Sequence, residues 1–371
     1  MFDRQPFTDP ESAARRAAGL APAPDAVSDA AAGFAAEVDG IDPDGWERIV
    51  AGFADADLSQ TAAYGAVRWR RHRVSRLVLR RHGEIAAAAQ VALVTLPPTG
   101  RGLAYVKWGP MWRRRGAAAD PDALHAVARA LRNEYGARCG LTVRLMPRLL
   151  AEPDGPIDAI RSAGFRAVDG APVRTFRLDL TPTVATLRGG LKRKWRRDLG
   201  RAEDRGLRVT EHDGGEAMDV FMAVYRGMRR RKAFRDVSEI GLMPRIQDGL
   251  PPDLQLRTAA CRDGDEPLAA VAYWSAGDTP IALFGATTGR GLQLGASYFL
   301  NWHLLCRLKA RGHDGYDLGG AGDPRVNHFK AGLAGRHGGV ADFVGRFDAP
   351  GDWLSRCIVG TGDAARRALR R

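Results

Sequence analysis

A chain of 371 residues that is 45% hydrophobic can build two ordinary cores or one large one, and two domains are expected. Its formal charge of +13 and pI of about 10.1 favour an anionic partner such as phosphate, nucleic acid or an acidic membrane surface, although a GC-rich coding genome would also raise the Arg, Ala and Gly content together. The four cysteines, Cys139, Cys261, Cys306 and Cys357, form no Cys-x-x-Cys pair, and the chain has no apolar run of about 18 residues and no signal pattern. These features argue against a zinc site, a disulfide framework and a membrane span, so a soluble cytoplasmic protein with no metal is expected.

Residues 1–40 hold few large apolar groups and are expected to form a flexible tail. Strands are predicted at Val74 to Leu79 and Ile85 to Leu96, joined by the turn Arg81 to Glu84, and again at Gly102 to Lys107. After Gly109 and Pro110 a helix is predicted over Pro121 to Tyr135, with Leu124, Val127, Ala128 and Leu131 at helical spacing and Asp120 before Pro121 as its start. Leu141 to Met146 and Phe176 to Leu180 read as further strands.

The order begins again after Pro182. Basic helices are predicted over Val184 to Arg205 and Gly215 to Lys232, then strands at Gln255 to Arg262, Leu268 to Ser275 and Ile281 to Thr287. A helix over Ser297 to Ala310 follows, ended by Gly312, and then a short strand at Tyr316 to Leu318 before Gly319 and Gly320. Each half thus has a hairpin, a strand, a loop, a helix and a strand, the pattern an internal duplication leaves.

Seven segments stand out in order: Gln60 to Arg68, Tyr105 to Pro110, Leu191 to Gly206, Met228 to Phe234, Leu294 to Leu305, Tyr316 to Gly320 and His328 to Gly332. Together they resemble the FemABX family of aminoacyltransferases, a branch of the GNAT superfamily also described as BioF2-like. The resemblance implies an α/β (α+β) fold of tandem GNAT-like domains with mixed, largely antiparallel sheets flanked by helices. A tail at 1–40, a first domain at 41–180 completed by 345–371, and a second at 181–344 are expected.

The resemblance also implies a function: transfer of an amino acid from aminoacyl-tRNA to an amine of a peptidoglycan precursor or a related acceptor, with no tightly bound cofactor. Lys330 of the Phe329-Lys330 pair is then the cation that stabilises the oxyanion, and Phe329 lines the donor site. Arg68 and Arg231 match the two charges that hold the diphosphate of a nucleotide- or lipid-linked acceptor, with Arg in place of Lys at the first. Tyr105, Lys107, Trp108 and Tyr316 fall beside the same expected cleft. Asp317 is a candidate general base, though capping its loop or pairing with an Arg is the plainer reading of its carboxylate. Arg68, Arg231 and Lys330 are expected to converge on one cleft, and a monomer is favoured.

Lys192, Arg193, Arg196 and Arg197 with Trp195 among them suit a helix touching RNA phosphates, a solvated basic helix with the ring packed inward, or peripheral contact with an anionic membrane. Arg113, Gly116 and Ala118 meet the Arg-x-x-Gly-x-Ala spacing that cradles the pyrophosphate of coenzyme A, which keeps an acyl-CoA-dependent N-acetyltransferase as an alternative. A non-catalytic RNA- or membrane-binding protein is the third reading.

Overall fold

The computed structural model describes residues 27–29, 33–152, 155–170, 172–232 and 239–368. In chain order the strands of the first half are β1 (Val27–Asp29), β2 (Phe34–Val38), β3 (Arg73–Arg81), β4 (Glu84–Leu96), β5 (Arg101–Lys107), β6 (Thr142–Met146) and β7 (Arg166–Val168). They are followed by β8 (Arg174–Asp179), β9 (Arg208–His212), β10 (Arg257–Asp263), β11 (Glu266–Trp274), β12 (Ile281–Thr287), β13 (Gly315–Gly320), β14 (Gly338–Asp342) and β15 (Arg346–Ala349). One sheet has the order β1-β2-β3-β4-β5-β6-β15-β7 and the other β14-β8-β13-β12-β11-β10-β9. In each, a single pair is parallel, β5 with β6 and β12 with β13, and the rest are antiparallel.

The repeat read in the sequence is visible in this topology. β3-β4-β5, the helix Pro121–Leu131 and β6 correspond to β10-β11-β12, the helix Ala296–Ala310 and β13. Asp120 starts the first of these helices as expected, its carboxylate accepting from the Asp122 and Ala123 amides, and Pro121 occupies the first turn, where its missing N–H costs nothing. Past Leu131 the coil widens to a π-type helix through Arg138.

Three expectations are corrected. The tail gives way by Phe34, which is 3% exposed and begins β2 against β3; of residues 1–32 only β1 is among those described. The strand predicted at Phe176 to Leu180 pairs with β13 and β14, so β8 belongs to the second sheet and not to the first half. The basic helix predicted over Val184 to Arg205 is two helices, Val184–Gly190 and Arg193–Glu203, because Leu191 and Lys192 take extended ψ angles of 143° and 141°. Gly190 permits the break: a Cβ there would lie 2.4 Å from the His337 ring.

Strand alternation explains how the halves cohere. Along β4, Ala87, Ala89 and Val91 face the core of the first sheet while Ala88 faces a different cluster; along β11, Ala269, Val271 and Tyr273 face the second core while Ala270, Ala272 and Trp274 face that same different cluster. The shared cluster also holds Trp46, Phe53, Tyr64, Phe221, Met243 and Ile246. Both sheets therefore bury both faces, and the face they share is a common apolar core.

Candidate active site

A cavity of about 230 Å³ opens between the two halves, walled by Leu58, Trp108, Val173, Met243, Ile281, Leu283, Phe284 and Phe343 and edged by Asp57, Tyr64, Lys107, Arg148, Glu239 and Asp317. Trp108 enters it from a strained backbone, φ 51°, and its ring lies 4.9 Å from that of Phe343. That geometry is held by the preceding carbonyl. The Lys107 oxygen accepts from Ser59 Oγ at 2.8 Å and from Gln60 Nε2 at 2.7 Å, while Gln60 Oε1 accepts from the Gln90 amide at 2.8 Å.

On one side of the cavity, Glu239 gathers the cations. It accepts from Arg68 Nε and Tyr64 Oη at 2.7 Å each and from Lys107 Nζ at 3.1 Å. Burial pushes its carboxyl up, but Lys107, Arg68 and Tyr64 together outweigh this and hold it below the ordinary glutamate value.

On the other side lies the end of β13. Asp317, 0% exposed, accepts from Thr175 Oγ1 and, at 2.8 Å, from the Gly319 amide. Its second oxygen accepts no hydrogen bond among the described residues and sits 3.7 Å from Arg148 Nη2, which is likewise buried and without a hydrogen-bond partner there. Arg148 Nη1 meanwhile donates to Asp57 at 3.0 Å, so the guanidinium spans from the first half to the second. Behind this wall, Lys330 Nζ donates to the Gly319 and Gly320 oxygens at 3.0 and 2.9 Å. Two of its three donors are used. Burial lowers its pKa to about 8, against a smaller upward pull from Asp317.

β12 and β13 register at Ile281 and Asp317 only, whereas β5 and β6 pair over five positions from Leu103 with Thr142 to Lys107 with Met146. Beyond this contact β12 runs on to Thr287 while the chain leaves β13 for the helix Pro324–Ala334 that carries Lys330. The second sheet thus has a wedge between its parallel strands that the first lacks. Phe329 packs near it with Trp195 and Tyr298, ring centroids 5.2 to 5.7 Å from its own.

The expected residues are only partly brought together. Lys107 and Asp317 line the cavity, Lys330 bonds the oxygen of Gly320, which lines it too, and Arg68 joins it through Glu239. Arg231 does not converge with them: it donates to the Thr287 oxygen, six residues or roughly 20 Å along β12 from Ile281. Tyr316, expected to bind substrate, is 0% exposed in the second core, because alternate residues of a strand face opposite ways and Asp317 takes the cavity side. Tyr105 donates to Met146 Sδ at 3.2 Å.

Trp195, 3% exposed, packs inward, while Lys192, Arg193, Arg196 and Arg197 are exposed. Arg196 is partly engaged, donating to the Gly189 oxygen at 3.0 Å. Arg113 pairs with Asp278 at 3.3 Å, and the helix after the Arg113, Gly116 and Ala118 loop has a carboxylate as its cap, which makes that loop a poor anion cradle. Of the Met228 to Phe234 segment, Ala233 and Phe234 lie outside the described residues. Glu239, Arg148 and Met243 were missed in the sequence: each is isolated, and only the packing of the two halves gives it neighbours.

Residues 187–331 match the family profile described as an Acetyltransferase (GNAT) domain. No curated protein matches the chain in sequence. Among solved structures, FemX is similar at a TM-score of 0.69 and 15% identity, covering 85% of this chain and 97% of that one. A conserved protein of unknown function from Bacteroides thetaiotaomicron VPI-5482 has a TM-score of 0.58 at 12% identity, covering 85% and 99%. The C-terminal domain of a protein assigned as a lysylphosphatidylglycerol synthetase from Agrobacterium fabrum has 0.53 at 15%, covering 86% and 96%. The chain therefore has the FemX-like tandem architecture that its sequence resembles, and its GNAT domain makes it an acyltransferase of that type.

Proposed function

We propose that the protein transfers an aminoacyl group from the ester of a charged tRNA to an amine seated in the cavity between its halves. The observation that carries this reading is that Lys330 bonds the carbonyls of Gly319 and Gly320, the latter on the cavity wall, with exposed cations on both flanks. Arg193 and its neighbours approach on one side, where Trp195 meets Phe329 and the Lys192 amide donates to the Gly332 oxygen. The run Arg229 to Lys232 ends beside Thr287 on the other. A long polyanion fits such a rim better than a single small phosphate does.

In this reading the donor carbonyl oxygen takes the remaining N–H of Lys330, and the amine, steered by the free oxygen of Asp317, attacks the carbonyl carbon. The C–N bond forms, the bond from that carbon to the tRNA ribose oxygen breaks, and the proton lost by the amine ends on that oxygen by way of water. Asp317 orients the amine and is not required as a base. Peptidoglycan precursors are one source of such an amine.

The GNAT domain match supports one rival donor, acyl-CoA. Incubation with charged tRNA and an alkylamine is expected to yield free tRNA and the aminoacyl amide. Consumption of acyl-CoA with charged tRNA left intact would transfer the assignment to that rival.

A further inference from the structure

The helix Trp353–Ala368 lies along β5 and β6 and turns most of its surface to solvent. Its single acid is spent inside: Asp363 accepts from Arg144 at 2.6 and 3.0 Å. Asp352, just before the helix, is paired with Arg101. The outward side therefore carries Arg356, Arg366 and Arg367 without a carboxylate of the same helix beside them, and the exposed residues between them, among them Gly360, Thr361 and Ala364, are too small to hold a flat surface away.

Trp353, the first residue of this helix, is 68% exposed. Leu96, 53% exposed, is brought to the same corner. It stands opposite Arg101 in the β4–β5 pair and so on the same face of the sheet, where Arg101 holds Asp352 and the Gly102 amide donates to Ser355 Oγ at 3.1 Å. Two large apolar side chains from separate elements thus meet at one end of a cationic shelf. An indole is at home where hydrocarbon meets water, and guanidinium groups beside it attract anionic headgroups.

We infer that this face docks on an anionic lipid surface, with the helix in the plane of the headgroups and Trp353 and Leu96 at the acyl boundary. Charge decides against a second copy of the chain, since two such faces laid together would oppose cation to cation. An RNA would meet the charge and leave Leu96 without an apolar partner.

Sedimentation of the full-length protein with vesicles of phosphatidylcholine, alone or with about 30% phosphatidylglycerol, tests it. Partition is expected to be at least tenfold stronger onto the anionic vesicles and to fall with salt. Replacing Arg356, Arg366 and Arg367 by Gln should remove most of that preference, at roughly fivefold for each Arg. Leu96→Ser with Trp353→Ser should weaken binding at least fivefold without moving the thermal unfolding midpoint, because both side chains are exposed. Trp353→Phe should keep binding but lose the quenching of protein fluorescence by lipids brominated in the acyl chain, which general attraction of a chain of charge +13 would not produce. The inference is overturned if anionic vesicles bind no more than neutral ones, or if binding is lost on replacing Lys192, Arg193 and Arg197 and not on replacing these residues. Quenching that persists in Trp353→Phe, or a dimer in light scattering that Trp353→Ser dissociates, overturns it equally.

Discussion

Lys330 titrates inside the working range because burial favours its neutral form. At about 8 in the fold against 10.5 in the open chain, it binds fewer protons folded than unfolded between those values, so it makes stability rise with pH across that window. Lys330→Met should flatten that rise in chemical denaturation curves measured at pH 7.5 and 10. Transfer moves in the opposite sense: the cation is lost above about 8, so the Lys330-dependent rate should fall there, and Lys330→Arg should carry that limb to higher pH. Arg148 is a structural counterpart. It joins Asp57 to Asp317 with little exposure, and Arg148→Met would leave both carboxylates without their cation, costing about 3 kcal/mol in urea unfolding. At this scale the sequence singled out Lys330 because it sits in a run, beside Phe329, and the structure sets its ammonium on the Gly319 and Gly320 oxygens. Asp317 and Tyr316 were read as one motif, yet strand alternation sends one to the cavity and the other to the core.

Of its three sequence readings, RNA contact, a solvated basic helix with the ring inward and contact with an anionic membrane, the helix Arg193–Glu203 has the burial pattern of the second. Trp195, Leu199 and Ala202 are buried, and the cations at Lys192, Arg193 and Arg197 lie outside. Replacing these three by Gln should leave thermal stability within about 0.5 kcal/mol, since exposed side chains away from special contacts rarely matter more. It should also reduce the salt slope of tRNA binding by roughly 2, at about 0.7 per phosphate contact on a single strand. An unchanged slope in filter binding across salt concentrations would remove this helix from the donor site. Most strands and helices were legible from period and caps, as Asp120 before Pro121 illustrates. The pairing of β8 was not, because its partners β13 and β14 lie more than a hundred residues further along the chain.

The whole molecule is organised around a shared core, to which Trp46 and Phe53 come from one half and Phe221 and Trp274 from the other. Phe221→Ala should therefore cost about 3 to 5 kcal/mol and lower the unfolding of both halves in a single transition by calorimetry. Two transitions, with only one shifted, would show that the halves fold separately. The duplication could be read from order alone, but the difference between its copies could not: the β5–β6 pair is closed and the β12–β13 pair opens after one register contact. That asymmetry places the wedge, and with it Lys330, in the second half. The most direct test is single-turnover transfer from charged tRNA to an alkylamine by wild-type protein and Lys330→Ala. A loss of at least 100-fold in rate with donor binding unchanged is predicted; a rate within about threefold of wild type would contradict the role given to Lys330 and the account built on it.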